Sequence, residues 1–163
     1  MSELSKQDHA TIEVFADITC PFTHVGLKRV IEHIAGMEQP AEVFVRAWPL
    51  EWVNGNGLEV TAVEAKAKAL SEQLGVDDFF GLDHDQWPVS TIPALKLAAA
   101  GYARDMTTGL AVSIELRAAL FEQGRNIGDP DVLAEIAANN DLADTERCGD
   151  TTVQADYDEG RRR

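Results

Sequence analysis

Apolar and polar residues alternate in two short segments in the first third of the chain, residues 11–17 and 42–48. Alternation of this kind, with many β-branched and aromatic residues, predicts β-strands. Between the two segments, apolar residues recur at the spacing of an amphipathic helix, at Val25, Leu27, Val30, Ile31 and Ile34. The order strand, helix, strand predicts two parallel strands joined by a right-handed helical crossover.

The composition changes between about residue 58 and residue 140, where alanine, leucine and glutamate follow a helical period. We expect one helix over residues 59–74 and another over residues 109–123. A shorter helix is predicted after Asp129, which suits an N-cap, with Pro130 at its first position. The polar segment at the end of the chain is expected to be helical as well.

These patterns divide the chain into three parts. Residues 10–53 form a strand–helix–strand unit, residues 58–149 form a helical subdomain, and residues 150–163 begin the return to the first unit. A length of 163 residues with 45% hydrophobic residues suits one globular domain. We therefore predict an α/β fold in which most of the chain is helical.

Charge and composition exclude several classes of partner. The formal net charge of −14 makes nucleic acid and anionic lipid poor partners, because like charges repel. No run of about 18 apolar residues is present, so we expect no membrane span. The polar, acidic start of the chain lacks the basic and apolar regions of a secretory signal, which leads us to expect a cytoplasmic protein.

The chain has two cysteines, Cys20 and Cys148, and a cytoplasmic protein is expected to keep both as free thiols. Cys20 follows the first predicted strand, and Pro21 suits the first position of the next helix. Unpaired backbone N–H groups and the helix dipole stabilise a thiolate at that point, and the thiolate is the nucleophilic form. Its position alone is also compatible with a second interpretation, in which Cys20 is a small buried apolar residue and not a nucleophile.

Two stretches of sequence carry a resemblance to a known family. Residues 15–29, Phe-Ala-Asp-Ile-Thr-Cys-Pro-Phe-Thr-His-Val-Gly-Leu-Lys-Arg, resemble the first strand and active-site turn of cytosolic DsbA-like proteins of the thioredoxin superfamily. This group includes FrnE-like proteins, kappa glutathione transferases and 2-hydroxychromene-2-carboxylate isomerases. Residues 121–133 resemble the late helical insertion of FrnE-like proteins. The resemblance implies a thioredoxin-like fold with a large α-helical insertion after the second strand.

The resemblance also implies thiol–disulfide exchange, in which the first cysteine of Cys-x-x-Cys attacks a disulfide and the second resolves the mixed disulfide. Cys20 matches the attacking position and Thr23 replaces the resolving cysteine. We therefore expect Cys20 and Thr23 to be catalytic, with single-cysteine chemistry on a small thiol or a protein disulfide. Neighbouring Pro21, Phe22 and His24 are expected to contact the substrate, although a solvent-exposed surface position is the simplest expectation for the His24 side chain.

No tightly bound cofactor is expected, and glutathione or another low-molecular-weight thiol is the expected small partner. Two other functions stay open. One is a glutathione-dependent transferase or isomerase, since those relatives carry serine at the position of Cys20 and use it to orient the sulfur of glutathione. The other is a catalytically idle helical interaction protein.

No metal site is predicted, because the histidines and cysteines lack a metal-binding spacing. The carboxylates of residues 77–85 do not follow the calcium-loop pattern, so we expect a solvated loop there. Cys148 lies in a polar stretch, and nothing in the sequence brings it near Cys20.

Pro93 resembles the cis-proline of a thioredoxin site, but helix-forming residues follow it, so we predict that Pro93 opens a helix. The resemblance places the true cis-proline loop after the helix that residues 154–163 resemble. The final strands are then expected to be missing from this chain. A truncated reading frame, a fragment, or a homodimer that completes its sheet between subunits would each account for that.

Overall fold

The structure is a computed structural model that describes residues 10–142 and 149–163. It begins with strand β1 (Thr11–Ala16), helix α1 (Pro21–Ala35) and strand β2 (Glu42–Ala47). The two strands are parallel, with Thr11 opposite Glu42 and Ala16 opposite Ala47. The predicted parallel strand–helix–strand arrangement is confirmed.

Helices make up most of the remaining described chain: α2 (Leu50–Asn54), α3 (Val60–Leu74), α4 (Ile92–Arg104), α5 (Met106–Phe121), α6 (Pro130–Asn139) and α7 (Gly149–Arg162). Pro93 lies in the first turn of α4 and Pro130 is the first residue of α6, so both predicted helix starts are confirmed. The Asp129 carboxylate caps α6 by accepting a hydrogen bond from the Asp131 N–H at 2.8 Å. Within the described residues, no helix has the length and apolarity that a membrane crossing requires.

Helix α5 starts earlier than the predicted residue 109. Asp105 is its N-cap and accepts hydrogen bonds from the Thr108 N–H at 2.7 Å and the Thr108 hydroxyl at 2.9 Å. Gly109 lies inside the helix, and the Tyr102 ring packs directly on it, since a Cβ at this position would lie 2.2 Å from that ring. Gly109 is therefore required for the close packing of α4 on α5.

The main core lies between α4 and α5, with α6 and α7 packed around them. Its completely buried members include Val112, Leu116, Phe121, Ile127 and Ile136. A second cluster joins one face of the sheet to α1, through Ala16, Val43 and Val45 against Leu27.

Helix α7 covers the opposite face of the sheet. The Arg46 guanidinium on that face pairs with Glu13 at 2.7 Å and with Asp156 of α7 at 2.8 Å. A Cβ at Gly160 would lie 2.5 Å from the Trp48 ring, so this glycine lets α7 approach the sheet closely. The sheet is thereby enclosed between α1 and α5 on one face and α7 on the other.

Side chains cover the outer edge of β2. The Tyr102 hydroxyl accepts a hydrogen bond from the Val45 N–H at 3.0 Å and donates one to the Val43 carbonyl at 3.2 Å. The Asp156 carboxylate accepts one from the Ala47 N–H at 3.0 Å. Helices α4 and α7 thus satisfy the backbone groups that a further strand would otherwise bind, and the sheet ends at β2 on this side.

We expect Tyr102→Phe to lower the free energy of unfolding by about 1–3 kcal/mol, because the Val45 N–H and the Val43 carbonyl would lose their partner in a part-buried site. Urea denaturation measures the change. Tyr157→Phe is the matched control, since no described hydrogen bond involves the Tyr157 hydroxyl. Equal stabilities of the two variants would contradict this account of the strand edge.

Candidate active site at the start of helix α1

The turn between β1 and α1 is organised by Asp17, whose side chain is buried with 2% exposure. One carboxylate oxygen accepts hydrogen bonds from the N–H and the hydroxyl of Thr19, both at 2.9 Å. The other accepts from the Leu50 N–H at 2.8 Å and the Thr91 hydroxyl at 2.9 Å. The carboxylate therefore ties the turn that leads to Cys20 to the starts of α2 and α4.

Cys20 is the N-cap of α1, as predicted, with extended backbone at φ −79° and ψ 112°. Its carbonyl accepts the helical hydrogen bond from the His24 N–H at 3.2 Å. Its thiol is free and half-buried. The Thr23 hydroxyl, at the position of a resolving cysteine, donates to the Cys20 carbonyl at 3.0 Å and lies 3.4 Å from the Asp17 carbonyl. Thr23 thus braces the first turn of the helix.

The residues expected to contact substrate differ in exposure. Pro21, the first residue of α1, is buried, whereas Phe22 is 56% exposed. Phe22 is therefore available at the surface two residues after Cys20, and the substrate-binding roles of Pro21 and Phe22 stay predictions.

His24 is buried with 2% exposure, so the expectation of a solvent-exposed side chain is wrong. Its ring stacks on Phe121 at a centroid distance of 4.9 Å and meets Phe79 edge-on at 5.5 Å. Its Nε2 lies 3.0 Å from the Asp78 carbonyl and 3.2 Å from a Glu122 carboxylate oxygen. These four partners are distant from His24 in sequence, and for that reason local pattern did not reveal the burial. The role of His24 in substrate binding stays a prediction.

Burial lowers the pKa of His24 below its ordinary value, against the opposing effects of the Asp78 carbonyl and the Glu122 charge. One turn further along α1, Lys28 contacts the Asp78 carboxylate and lies 2.6 Å from Glu122. Burial opposes the charged form of Lys28, but the hydrogen bonds to Asp78 and Glu122 raise its pKa overall. The predicted solvated loop is therefore wrong at Asp78, which this contact holds against α1.

Arg117 is a buried residue of the site that the sequence analysis missed. It lies on α5 with 1% exposure, and its Nη1 donates to the Ser113 carbonyl at 2.9 Å and its Nη2 to the Asp17 carbonyl at 3.3 Å. Burial lowers its pKa to about 10, and the Asp17 carboxylate is the largest of the nearby groups that oppose that effect. The one feature of the sequence that could have indicated its burial is that Arg117 is a single charged residue among the apolar residues at the end of α5.

Cys148 and His9 lie outside the described residues. In the part of the chain that is described, no three side chains from His, Cys, Asp and Glu come close enough together to share a metal ion.

A half-buried thiol at the start of the helix after the first strand, in a parallel strand–helix–strand unit, is the arrangement of a thioredoxin-like thiol site. The chain belongs to the family of DSBA-like thioredoxin domains, which matches it over residues 11–161. The two-stranded, mostly helical fold described above is the DsbA-like form of the thioredoxin fold.

Solved structures show the same fold at low sequence identity. A probable DsbA oxidoreductase from Streptomyces coelicolor is 20% identical, with a TM-score of 0.70 over 94% of this chain and 76% of that one. The cytosolic disulfide reductase DsbM from Pseudomonas aeruginosa, in a structure with GSH, is 16% identical with a TM-score of 0.69, over 93% and 78% of the two chains.

Among curated proteins, the uncharacterized protein YwbO of Bacillus subtilis is 28% identical over 131 residues. The match covers 77% of this chain and 64% of YwbO. The chain therefore spans less than two thirds of the length of this relative.

We expect the stability of the protein to fall as the pH falls through about 6.5, the ordinary pKa of histidine. The unfolded chain takes up a proton there, whereas His24 in the folded protein stays neutral until the pH is lower, so protonation favours unfolding. His24→Gln should reduce this pH dependence of the free energy of unfolding, measured by urea denaturation between about pH 7.5 and about pH 5.5. His33→Gln, at an exposed position of the same helix, should leave it unchanged. An unaltered slope in His24→Gln would contradict the assignment.

Proposed function

We propose that this chain carries out thiol–disulfide exchange through Cys20 as the single cysteine of its motif, by way of a mixed disulfide with glutathione or a similar small thiol. The observation that carries the proposal is the half-buried Cys20 thiol at the N-cap of α1, with Thr23 at the position of the resolving cysteine. Membership of the DSBA-like thioredoxin family supports the type of chemistry.

The absence of a second thiol from the motif supports a small-thiol partner. A mixed disulfide at Cys20 has no resolving cysteine three residues away, so a thiol from solution has to release it. The similar structure of DsbM was determined with GSH, which makes glutathione the first thiol to test. The same reasoning agrees with a cytoplasmic setting, where glutathione is the main small thiol.

The reaction balances with glutathione as the reductant. The Cys20 thiolate attacks the glutathione sulfur of a mixed disulfide R–S–S–G, that disulfide bond breaks, and R–S⁻ leaves and takes a proton from water. A second glutathione thiolate then attacks the glutathione sulfur bound to Cys20. Glutathione disulfide forms and the Cys20 thiolate is regenerated. One mixed disulfide is thereby reduced to R–SH at the expense of one free glutathione, whose sulfur pairs with the glutathione sulfur that came from the substrate.

The contacts of the Thr23 hydroxyl argue against Thr23 as a group that orients a bound thiolate. Its described contacts are two backbone carbonyls, those of Cys20 and Asp17. Because the hydroxyl has one proton and that proton is engaged, a bound thiolate would have to compete with a backbone acceptor. Thr23 therefore serves the helix start, and the sulfur chemistry falls to Cys20.

Incubation with glutathione disulfide should add one glutathione to the wild-type protein, located at Cys20 by peptide mass mapping. Cys20→Ser should lose that adduct, and with it the glutathione-dependent reduction of a small mixed disulfide above the uncatalysed rate. Cys148→Ser should retain both and serves as the matched control. An adduct confined to Cys148, or full activity in Cys20→Ser, would refute the proposal.

Thr23→Cys tests the single-cysteine character of the motif. We expect this variant to form an intramolecular disulfide on mild oxidation and so to lose two titratable thiols, whereas the wild-type motif retains a mixed disulfide that glutathione releases. Thr23→Ser keeps the hydroxyl bond to the helix start and should behave like wild type. Failure of Thr23→Cys to form an internal disulfide would show that the two positions are not placed as in a dithiol site.

A further inference from the structure

We infer that the loop between α2 and α3 carries a site of spontaneous covalent modification, where the Asn56 side chain reacts with the backbone of Gly57 and loses ammonia. The products are aspartate and isoaspartate. The reaction needs only water and is independent of the thiol chemistry proposed for Cys20. The loop contains two Asn-Gly pairs, Asn54-Gly55 and Asn56-Gly57, and their different conformations favour the second.

The reaction has two balanced steps, and asparagine is among the thermolabile residues because of them. The Gly57 backbone nitrogen gives up its proton to hydroxide and attacks the carbon of the Asn56 side-chain amide. The bond from that carbon to the amide nitrogen breaks, the nitrogen takes a proton from water and leaves as ammonia, and a succinimide ring forms. Water then opens the ring at either carbonyl carbon. One opening gives aspartate, and the other gives isoaspartate, in which the main chain runs through the side-chain carbon.

Asn56 meets the requirements of this reaction. It is exposed and lies outside the helices and strands, so water and hydroxide reach it. Gly57 has no Cβ to crowd its attacking nitrogen. The Asn56 Nδ2 donates a hydrogen bond to the Gly57 carbonyl at 3.3 Å. That bond turns the Asn56 side chain toward the residue with which the ring has to close.

Asn54 has the same kind of neighbour in the sequence but a different conformation. It is the last residue of α2, and Gly55 after it is the C-cap, with φ at 80° in the left-handed region. In a helix the Cα–Cβ bond tilts toward the N-terminus, away from the nitrogen of the next residue. Ring closure at Asn54 therefore requires the end of α2 to unwind first.

The other three asparagines are followed by residues larger than glycine and are restrained by hydrogen bonds. The Asn126 Oδ1 accepts one from the Gly128 N–H at 2.8 Å. Asn139 and Asn140 each donate one to the Glu115 carboxylate at 2.7 Å. These bonds have to break before the amides can react, so we expect Asn56 to react before the other three.

The modified loop lies close to the active-site turn. Gly57 and Leu58 line the same crevice as Thr19, and the Leu58 carbonyl accepts a hydrogen bond from the Trp87 Nε1 at 2.9 Å. Isoaspartate lengthens the main chain by one carbon immediately before Gly57. Each product also adds one negative charge to a protein whose formal net charge is −14. The reaction therefore changes both the length and the charge of the loop beside this crevice.

Incubation of the protein at mildly alkaline pH should produce a more acidic species in isoelectric focusing, and peptide mass mapping should locate the change at Asn56. In water labelled with heavy oxygen, the new carboxyl group should carry one labelled atom. Asn56→Gln should lose the acidic species over the same period, because a longer side chain has to close a larger ring. Asn54→Gln is the matched control and should retain it.

Gly57→Ala tests the attack by the backbone nitrogen without removing the amide. A Cβ at this position would lie 3.7 Å from the Val89 carbonyl oxygen, an ordinary contact, so the variant should fold. The added methyl group crowds the nitrogen, and we expect the acidic species to appear about tenfold more slowly. Urea denaturation of each variant checks that a changed rate does not come from lost stability.

Modification at Asn54 as fast as at Asn56 would overturn the assignment, and so would an unchanged rate in Gly57→Ala. An unstructured peptide with the sequence of residues 52–60 supplies the reference rate. If the protein forms no acidic species over several half-lives of that peptide, the site is refuted. The exchange reaction proposed for Cys20 is judged separately by its glutathione adduct, and neither result decides the other.

Discussion

The rest of the site depends on the buried carboxylate of Asp17. A charge without full hydrogen bonding would be too costly in the interior, and here four donors from three separate parts of the chain satisfy it. Because Thr19, Leu50 and Thr91 all bind this one group, it holds the turn after β1 against the starts of α2 and α4. The placement of Cys20 at the N-cap of α1 follows from that turn.

Helices α4, α5 and α7 contact the active-site turn, helix α1 and the outer edge of β2. Helix α5 supplies Arg117 beneath the turn and Phe121 against the His24 ring, while α4 supplies the Tyr102 hydroxyl that closes the outer edge of β2. Helix α7 completes that edge through Asp156. The thiol is therefore supported by elements from both halves of the chain, and its environment is a property of the whole fold.

The half-buried thiol and the threonine three residues later have distinct physical roles. Cys20 is the one residue of the motif with redox chemistry. The Thr23 hydroxyl donates its proton to the Cys20 carbonyl at the start of the helix. A protein built in this way cannot hold a disulfide within the motif. Under the proposed function, the thiol that releases a mixed disulfide at Cys20 would come from solution, and for that reason a small thiol is the partner to test.

Local sequence was sufficient for the features that depend on neighbours along the chain. The alternation in β1 and β2, the proline starts of α4 and α6, and the position of Cys20 before Pro21 all follow from short-range periodicity and capping. Which polar side chains are buried could be determined only from the folded structure. His24 and Arg117 are each enclosed by residues distant in sequence, and no local period encodes which faces of α1 and α5 turn toward one another. The position of Cys20 at a helix start could therefore be predicted from the sequence, whereas the charged and aromatic groups around it come together only through tertiary packing.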